Sequence, residues 1–464
     1  MSHHDVVIIG GGPGGYGAAL YGASAGLDIG LVEMNKLGGT CLNVGCIPAK
    51  ELLETASVFR TVSHASDFGV GSSEPTIDFS VMQARKQGIV DQLIGGVGHL
   101  LKNRKVTVYD GTGSLGPNRT VTVNGADGQS TTITGNHIIL ASGSTPRTIP
   151  GFEIDGVNVV TSDEVLSLQA LPKRVAIIGG GAIGCEFASM LLDMGSEVTL
   201  LEYMPNLVPG VDIDASKVLK REFEKRGMTI HTGVKVEKWE SNGFGLVVSY
   251  GEAQQAEVDL IAVCVGRRPM PDYLGLQGTA VTTDERGFIA VNEQLATAEP
   301  NVFAVGDIID TAQLAHVAFA EAIYVIKQIV GDAAIPVDYA NVPWCIYSHP
   351  EVAFAGMTEE QAKAAGFEVL VSKHRYNSNS RAMIIGEAAG LVKVIAEKQA
   401  DGTAGRILGV HMAGPLVTEQ LGQAYMAVNW EATVNDVAQF IQPHPTLSEL
   451  YGETVLGLTG RSLH

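Results

Sequence analysis

Two copies of one local pattern constrain this 464-residue chain more than any other feature. Near its start, the apolar run Asp5-Val6-Val7-Ile8-Ile9 leads into Gly10-Gly11-Gly12-Pro13-Gly14-Gly15. A small-residue stretch (16–25) follows, then a second apolar run (28–32) that closes on Glu33. The grammar returns where Arg174-Val175-Ala176-Ile177-Ile178 leads into Gly179-Gly180-Gly181-Ala182-Ile183-Gly184 and the run 197–201 closes on Glu202. In both copies the acid lies 18 positions beyond the last glycine. The pattern reads as strand, glycine turn, helix, strand. The first glycine (Gly10, Gly179) permits a tight turn, and the second (Gly12, Gly181) lets backbone N–H groups approach a pyrophosphate. The third (Gly15, Gly184) lets helix and strand pack closely, and the helix N-terminus favours negative charge. Glu33 and Glu202 are placed to accept hydrogen bonds from ribose hydroxyls. One copy also occurs in folds that bind no nucleotide. Two copies with matching acids predict two dinucleotide-binding units in an α/β chain.

The length exceeds one ordinary core, so several domains are expected. Fifty acidic against 31 basic residues give a net charge of −19, which disfavours nucleic acid and anionic membranes and suits a basic docking partner. No apolar run reaches membrane-spanning length. A strand begins almost at once, leaving no room for a cleavable signal, so a cytoplasmic protein is expected. His3 and His4 are too few for a metal site. Of five cysteines, Cys185, Cys264 and Cys345 are scattered and read as core residues. Cys41 and Cys46 differ, because a close pair in a reducing compartment is more often catalytic than structural.

That pair lies in Gly38-Gly39-Thr40-Cys41-Leu42-Asn43-Val44-Gly45-Cys46-Ile47-Pro48-Ala49-Lys50. Five residues of straight helix separate Cα atoms by about 7.5 Å. A disulfide usually wants roughly 4.4–6.8 Å. If the two bond, the segment is distorted or starts a helix, and Gly45 makes that easier. On spacing alone, two unpaired cysteines remain an equal alternative.

Further motifs accompany the pair: Ala141-Ser142-Gly143-Ser144-Thr145-Pro146, Cys264-Val265-Gly266-Arg267-Arg268-Pro269, Phe303-Ala304-Val305-Gly306-Asp307, Leu314-Ala315-His316, Tyr347-Ser348-His349-Pro350-Glu351-Val352-Ala353 and His444-Pro445-Thr446-Leu447-Ser448-Glu449. With these the sequence resembles, end to end, the class I pyridine nucleotide-disulfide oxidoreductases, and most closely their dihydrolipoamide-oxidising branch. Ser142, where threonine is more usual, and the stretch Asp310-Thr311-Ala312-Gln313 depart from the family pattern.

The resemblance implies FAD and NAD as cofactors, and two Rossmann-like domains with a C-terminal α+β interface domain. The boundaries implied are 1–145 for FAD, 146–270 for NAD, 271–342 for a central domain completing the FAD site, and 343–464 for dimerisation. It implies a Cys41–Cys46 disulfide, with Cys46 against the flavin and Cys41 as the interchange thiol. His444 would be the base, supplied by the other subunit of a homodimer, and Glu449 would hold its imidazole. Lys50 would approach the flavin and pair with Glu186. Gly113, Ser142, Gly143, Ser144, Asp307, Leu314, Ala315 and His316 would join the flavin site, and Val236 and Gly266 the NAD site. Partners implied are a lipoylated carrier and the acyltransferase core of a 2-oxoacid dehydrogenase complex, or a glycine cleavage system. Blander readings stand beside these. Thr446 to Glu449 satisfies a helix capping box, which competes for the same carboxylate. Lys50 reads equally as an exposed helix lysine, and Glu186 as a carboxylate favoured near a helix N-terminus. A glutathione-type reductase would want arginines near Glu202, and a mercuric-type reductase a C-terminal cysteine pair, whereas the last cysteine is Cys345. The other class of reading is a non-catalytic flavoprotein subunit.

Glu202 opposes a 2′-phosphate, and residues 203–207 hold no Arg or Lys to grip one. A unit charge pair near 4 Å at an effective dielectric of about 20 interacts by roughly 4 kcal/mol. Initial rates with each nucleotide are therefore expected to favour NAD over NADP, by up to about three decades in kcat/KM. Equal use of both would remove the role given to Glu202.

Overall fold

The structure is a computed structural model that describes residues 2–71, 73–243 and 245–463. The chain divides into two compact units. One comprises the chain up to Leu52, Asp78–Arg147 and Arg267–Tyr339; the other comprises Leu53–Ile77, Thr148–Gly266 and the chain from Ala340 onward.

The first unit is built on a seven-stranded sheet. Its parallel part runs Thr107–Asp110, Ile29–Glu33, Ser2–Ile9, Ser130–Leu140 and Val302–Ala304. The antiparallel strands Thr120–Asn124 and Thr112–Gly116 extend it from the first half of Ser130–Leu140. Val6 pairs in register with Ile29 on one side and His137 on the other, which puts Val6 to Ile9 at the centre. These residues are buried on both faces, so the strand reads as a continuous apolar run without alternation. Helices Pro13–Ser24, Phe79–Asn103 and Ala315–Val330 belong to the same unit.

In the second unit, Thr229–Thr232, Glu197–Glu202, Arg174–Ile178, Leu260–Val263 and Val159–Val160 form a parallel sheet in that order. Helices Ala182–Met194 and Ile213–Lys225 accompany it. A three-stranded antiparallel sheet (Val236–Ser241, Leu246–Tyr250, Gln254–Val258) inserts before its fourth strand. The C-terminal part is a five-stranded antiparallel sheet ordered Trp344–Ile346, Glu351–Gly356, Ala404–Gly414, Leu391–Lys398, Val369–Arg375. Helices Val417–Asn429 and Glu449–Gly457 follow it. The α/β class, both βαβ units and the α+β C-terminal part thus form as expected. No helix among the described residues is long and apolar enough to cross a membrane.

One buried charge cluster fastens the C-terminal sheet to helix Ile213–Lys225. Lys393, 1% exposed, donates to Asp212, Asp214 and Glu359 at 2.8–2.9 Å. Burial works against its charge, but the three carboxylates offset that and hold its pKa above the usual lysine value. Asp212 also caps the helix through the Asp214 N–H, and its own N–H donates to His411 Nδ1. Burial pushes His411 down to about 4. Lys393→Met removes the cation and leaves the buried Asp212 carboxylate facing the half-buried Asp214 and Glu359. A loss of about 3–5 kcal/mol is expected, seen as an earlier urea-unfolding transition; an unchanged transition would show the cluster to be energetically idle.

Candidate active site

The glycine turns fold as their spacing requires. Gly10 (φ +109°) is left-handed, and a Cβ there would lie 2.2 Å from the Ala141 carbonyl oxygen. A Cβ on Gly15 would lie 1.7 Å from the Gly10 carbonyl oxygen. The second copy repeats both constraints, with Gly179 against Cys264 O (2.4 Å) and Gly184 against Gly179 O (1.8 Å). The middle glycines differ. A Cβ on Gly12 would meet only Gly39 Cα, at 3.7 Å, and one on Gly181 would meet nothing within 4 Å. Each turn thus keeps open space beside a helix start that carries no acidic residue in its first turn, at Pro13 and at Ala182. That is the cradle a dinucleotide pyrophosphate fits.

Both acids are fastened in the same way. Glu33 accepts from Gly11 N–H at 2.6 Å and from Asn35 N–H at 2.8 Å. Glu202 accepts from Gly180 N–H and, at 2.6 Å, from Met204 N–H. Each carboxylate therefore braces its own glycine turn, a duty that spacing did not reveal. An ionised carboxylate has about four acceptor positions, so ribose hydroxyls can still be accommodated.

The flavin-side loop is held from several directions. Ser142 Oγ donates to Met270 O at 2.9 Å, and Gly143 (φ +74°) turns the chain. Ser144 Oγ donates to Asp307 Oδ2 at 2.5 Å. Arg267, absent from the expected site, donates from Nε to Ser144 Oγ and from Nη2 to Ser144 O, both at 2.7 Å. Nη2 also reaches Thr40 Oγ1 at 3.3 Å, next to Cys41. One guanidinium thus joins the cysteine segment, the loop and Asp307. Leu314 precedes helix Ala315–Val330, and Ala315 and His316 open it. Gly113 lies in its strand where a Cβ would meet Ile9 and Val32 at 3.0 Å. Val236 begins a strand, and Gly266 (φ +96°) has open space on its Cβ side.

The cysteine segment is broken as expected. Helix Gly39–Val44 stops at Gly45 (φ −144°, ψ −116°), and helix Cys46–Ser63 begins directly after it. The disulfide that the resemblance implies is not formed here: Cys41 and Cys46 are unbonded neighbours, the reduced form of the pair. The Cys41 pKa is raised, first by its hydrogen bond with Cys46 and then by burial, while the Lys50 charge pulls it back. Lys50, one turn beyond Cys46, therefore acts electrostatically on Cys41. Tyr16, on the first fingerprint helix, is a neighbour the sequence did not suggest. Burial, and then the two sulfurs, push its phenol up to about 12, so it stays a neutral hydroxyl.

In the second unit, His444 Nδ1 lies 2.7 Å from Glu449 Oε2. The other oxygen, Oε1, accepts from Thr446 N–H at 3.1 Å, and Glu449 N–H donates to Thr446 Oγ1 at 3.3 Å. The expected cap is displaced, since the helix opens at Glu449 with Ser448 rather than Thr446 at its N-cap, yet the two Thr446–Glu449 bonds form; they do not compete with the imidazole, because each takes one carboxylate oxygen. The His444–Pro445 bond is cis. The His444 side chain is 70% exposed, whereas that of Glu449 is 18% exposed. Glu186, buried one turn into its helix, accepts from Tyr347 N–H at 2.9 Å.

Comparison with known proteins agrees with this geometry. Residues 4–322 match the family model described as pyridine nucleotide-disulphide oxidoreductase, and residues 342–455 match the dimerisation domain of that family. The chain is 41% identical to a dihydrolipoyl dehydrogenase of Bacillus subtilis, across 100% of this chain and 99% of that protein. It is 38% identical to the mitochondrial dihydrolipoyl dehydrogenase of Pisum sativum, across 99% and 92%. The fold superposes on the crystal structure of LpdA from Mycobacterium tuberculosis with a TM-score of 0.91 at 23% identity, covering 99% of this chain and 100% of that one. The chain belongs to the pyridine nucleotide-disulphide oxidoreductase family.

The divided carboxylate separates two effects. Glu449→Gln keeps an oxygen for Thr446 N–H but turns an amide toward His444. Dithiol turnover is expected to fall about a hundredfold, with the thermal midpoint nearly unchanged. Glu449→Ala should lose that activity and also about 1 kcal/mol from the hydrogen bond it accepts from Thr446 N–H. Full turnover in Glu449→Gln would leave this carboxylate a brace for Thr446 only.

Proposed function

We propose that the chain is a dihydrolipoyl dehydrogenase, oxidising a protein-bound dihydrolipoamide to lipoamide at the expense of NAD+. The observation that carries the reading is the Cys41/Cys46 dithiol, set at the helix break at Gly45 and in the same unit as the first fingerprint and Asp307. The residues present fit a flavin dinucleotide: an open glycine turn, a fastened Glu33, and an Asp307 oriented by Ser144. FAD, when bound, supplies two-electron transfer between the protein dithiol and NAD+.

The chain's own residues account for the sulfur chemistry. With the pair oxidised, His444 of the partner subunit accepts a proton from one substrate thiol. The resulting thiolate attacks the Cys41 sulfur. The Cys41–Cys46 bond breaks, and Cys46 leaves as a thiolate in the field of Lys50. The second substrate thiol then attacks the substrate sulfur of the mixed disulfide, forming the cyclic disulfide, and its proton passes to the expelled Cys41 thiolate. Substrate departs as a cyclic disulfide, oxidised by two electrons, and the pair is left reduced. Glu449 holds the imidazole so that Nε2 faces the incoming thiol.

The homodimer, the four-domain division and a cytoplasmic location belong to the same proposal, the last because a reducing compartment suits a reactive pair among otherwise scattered cysteines. A lipoylated carrier and an acyltransferase core, or a glycine cleavage system, are the partners proposed. The acidic surface suits a basic docking segment. Gly113, Leu314, Ala315 and His316 on the flavin side, and Glu186, Val236 and Gly266 on the NAD side, complete the proposed site.

The test is NAD+ reduction with dihydrolipoamide as donor. Cys41→Ser and Cys46→Ser should each lose about a thousandfold or more in kcat. The two differ in colour: a protein that keeps Cys46 should develop the red-orange thiolate–flavin band, and Cys46→Ser should not. Turnover that survives in Cys41→Ser would overturn the assignment.

A further inference from the structure

Helix Ala315–Val330 carries one carboxylate on its buried face. Glu321 is 0% exposed, among Val317, Ala318, Ala322 and Val325. An ionisable group in such a place is costly unless its acceptors are satisfied. Glu321 takes three donors. Gly306 N–H reaches Oε2 at 2.6 Å, and Thr311 Oγ1 and Tyr339 OH reach Oε1 at 2.8 and 2.9 Å. Burial raises its pKa, the three donors lower it, and the Asp307 charge raises it again.

Gly306 directly precedes Asp307 and turns the chain (φ +75°), with Ile309 N–H closing the turn onto Gly306 O at 3.0 Å. The turn is pressed onto the helix: a Cβ on Gly306 would stand 3.3 Å from Ala318 Cβ. Asp307 is thus held from two sides. Ser144, itself bonded by Arg267, fixes its carboxylate, and Glu321 fixes the backbone from which it projects.

We propose that Glu321 is a positioning residue for the flavin, fixing the Gly306–Asp307 turn so that Asp307 is aimed before the cofactor arrives. This inference rests on the flavoprotein reading above. Its value would lie in preorganisation: the ordering cost of the turn is met on folding, so flavin binding does not bear it.

The test measures FAD release by recovery of flavin fluorescence, beside NAD affinity and thermal midpoint. Glu321→Met, which fills the same space without an acceptor, should release FAD about ten- to a hundredfold faster. Glu321→Gln should rescue to within about threefold, because its amide oxygen accepts from Gly306 N–H while the hydroxyls reverse their roles. Thr311→Val with Tyr339→Phe removes only the Oε1 donors and should lower the midpoint without speeding release. NAD affinity should hold throughout. Release by Glu321→Met at the wild-type rate, or release by the Thr311/Tyr339 double variant as fast as by Glu321→Met, would overturn the inference. If Glu321→Met fails to fold, hydrogen exchange of the segment holding Gly306 decides in the wild-type protein: protection before FAD is added supports a preset turn, and protection only afterwards overturns it. A wild-type protein that takes up no FAD would instead refute the flavoprotein reading.

Discussion

The contact on which the rest depends is between backbone atoms. At Gly15 and at Gly184 the helix passes so near the preceding turn that a single carbon would fall 1.7–1.8 Å from a carbonyl oxygen. No flexible side chain stands in the way, so nothing can give. The approach sets each helix N-terminus at the end of its first strand and keeps the middle glycine open. Both dinucleotide cradles follow from it, and in the first unit so does the placement of Tyr16, one residue beyond Gly15, beside the cysteine pair.

A second device recurs. Glu33, Glu202, Glu321 and Glu449 each accept a backbone N–H next to a functional position: Gly11, Gly180, Gly306 and Thr446. A carboxylate has two oxygens, and in each case the other one is used elsewhere. In Glu449 it faces His444, and in Glu321 it gathers Thr311 and Tyr339. Charge-assisted bonds to backbone N–H groups are among the stronger hydrogen bonds in proteins. Loops carrying reactive or ligand-facing groups are thereby fixed without a large apolar core of their own.

Much of this was legible from residue order. The two strand–turn–helix–strand units stand where the glycines and acids put them, and the interruption between Cys41 and Cys46 falls at Gly45. Such features are local: a steric requirement on one backbone position, or a rise per residue. The sharing of the Glu449 carboxylate was only half legible. A capping box and a catalytic carboxylate read as rivals on paper, and only coordinates show one oxygen given to each. Arg267 and Tyr16 were not legible as members of the site, since one arginine of an Arg-Arg pair and a tyrosine in a small-residue helix carry no mark of what they approach.

The sequence by itself determined that the chain forms two nucleotide-binding βαβ units, and that a close thiol pair stands just after the first of them. Those outcomes follow from glycine at positions where no Cβ fits and from short-range spacing. Tertiary structure alone decided which side chains hold the reactive groups in place. Ser144 meets Asp307 across 163 residues of chain, and Arg267 meets Thr40 across 227. Contacts at such separations are fixed by strand order and sheet register, which bring the strand ends of one unit together. No periodicity within a segment encodes that convergence.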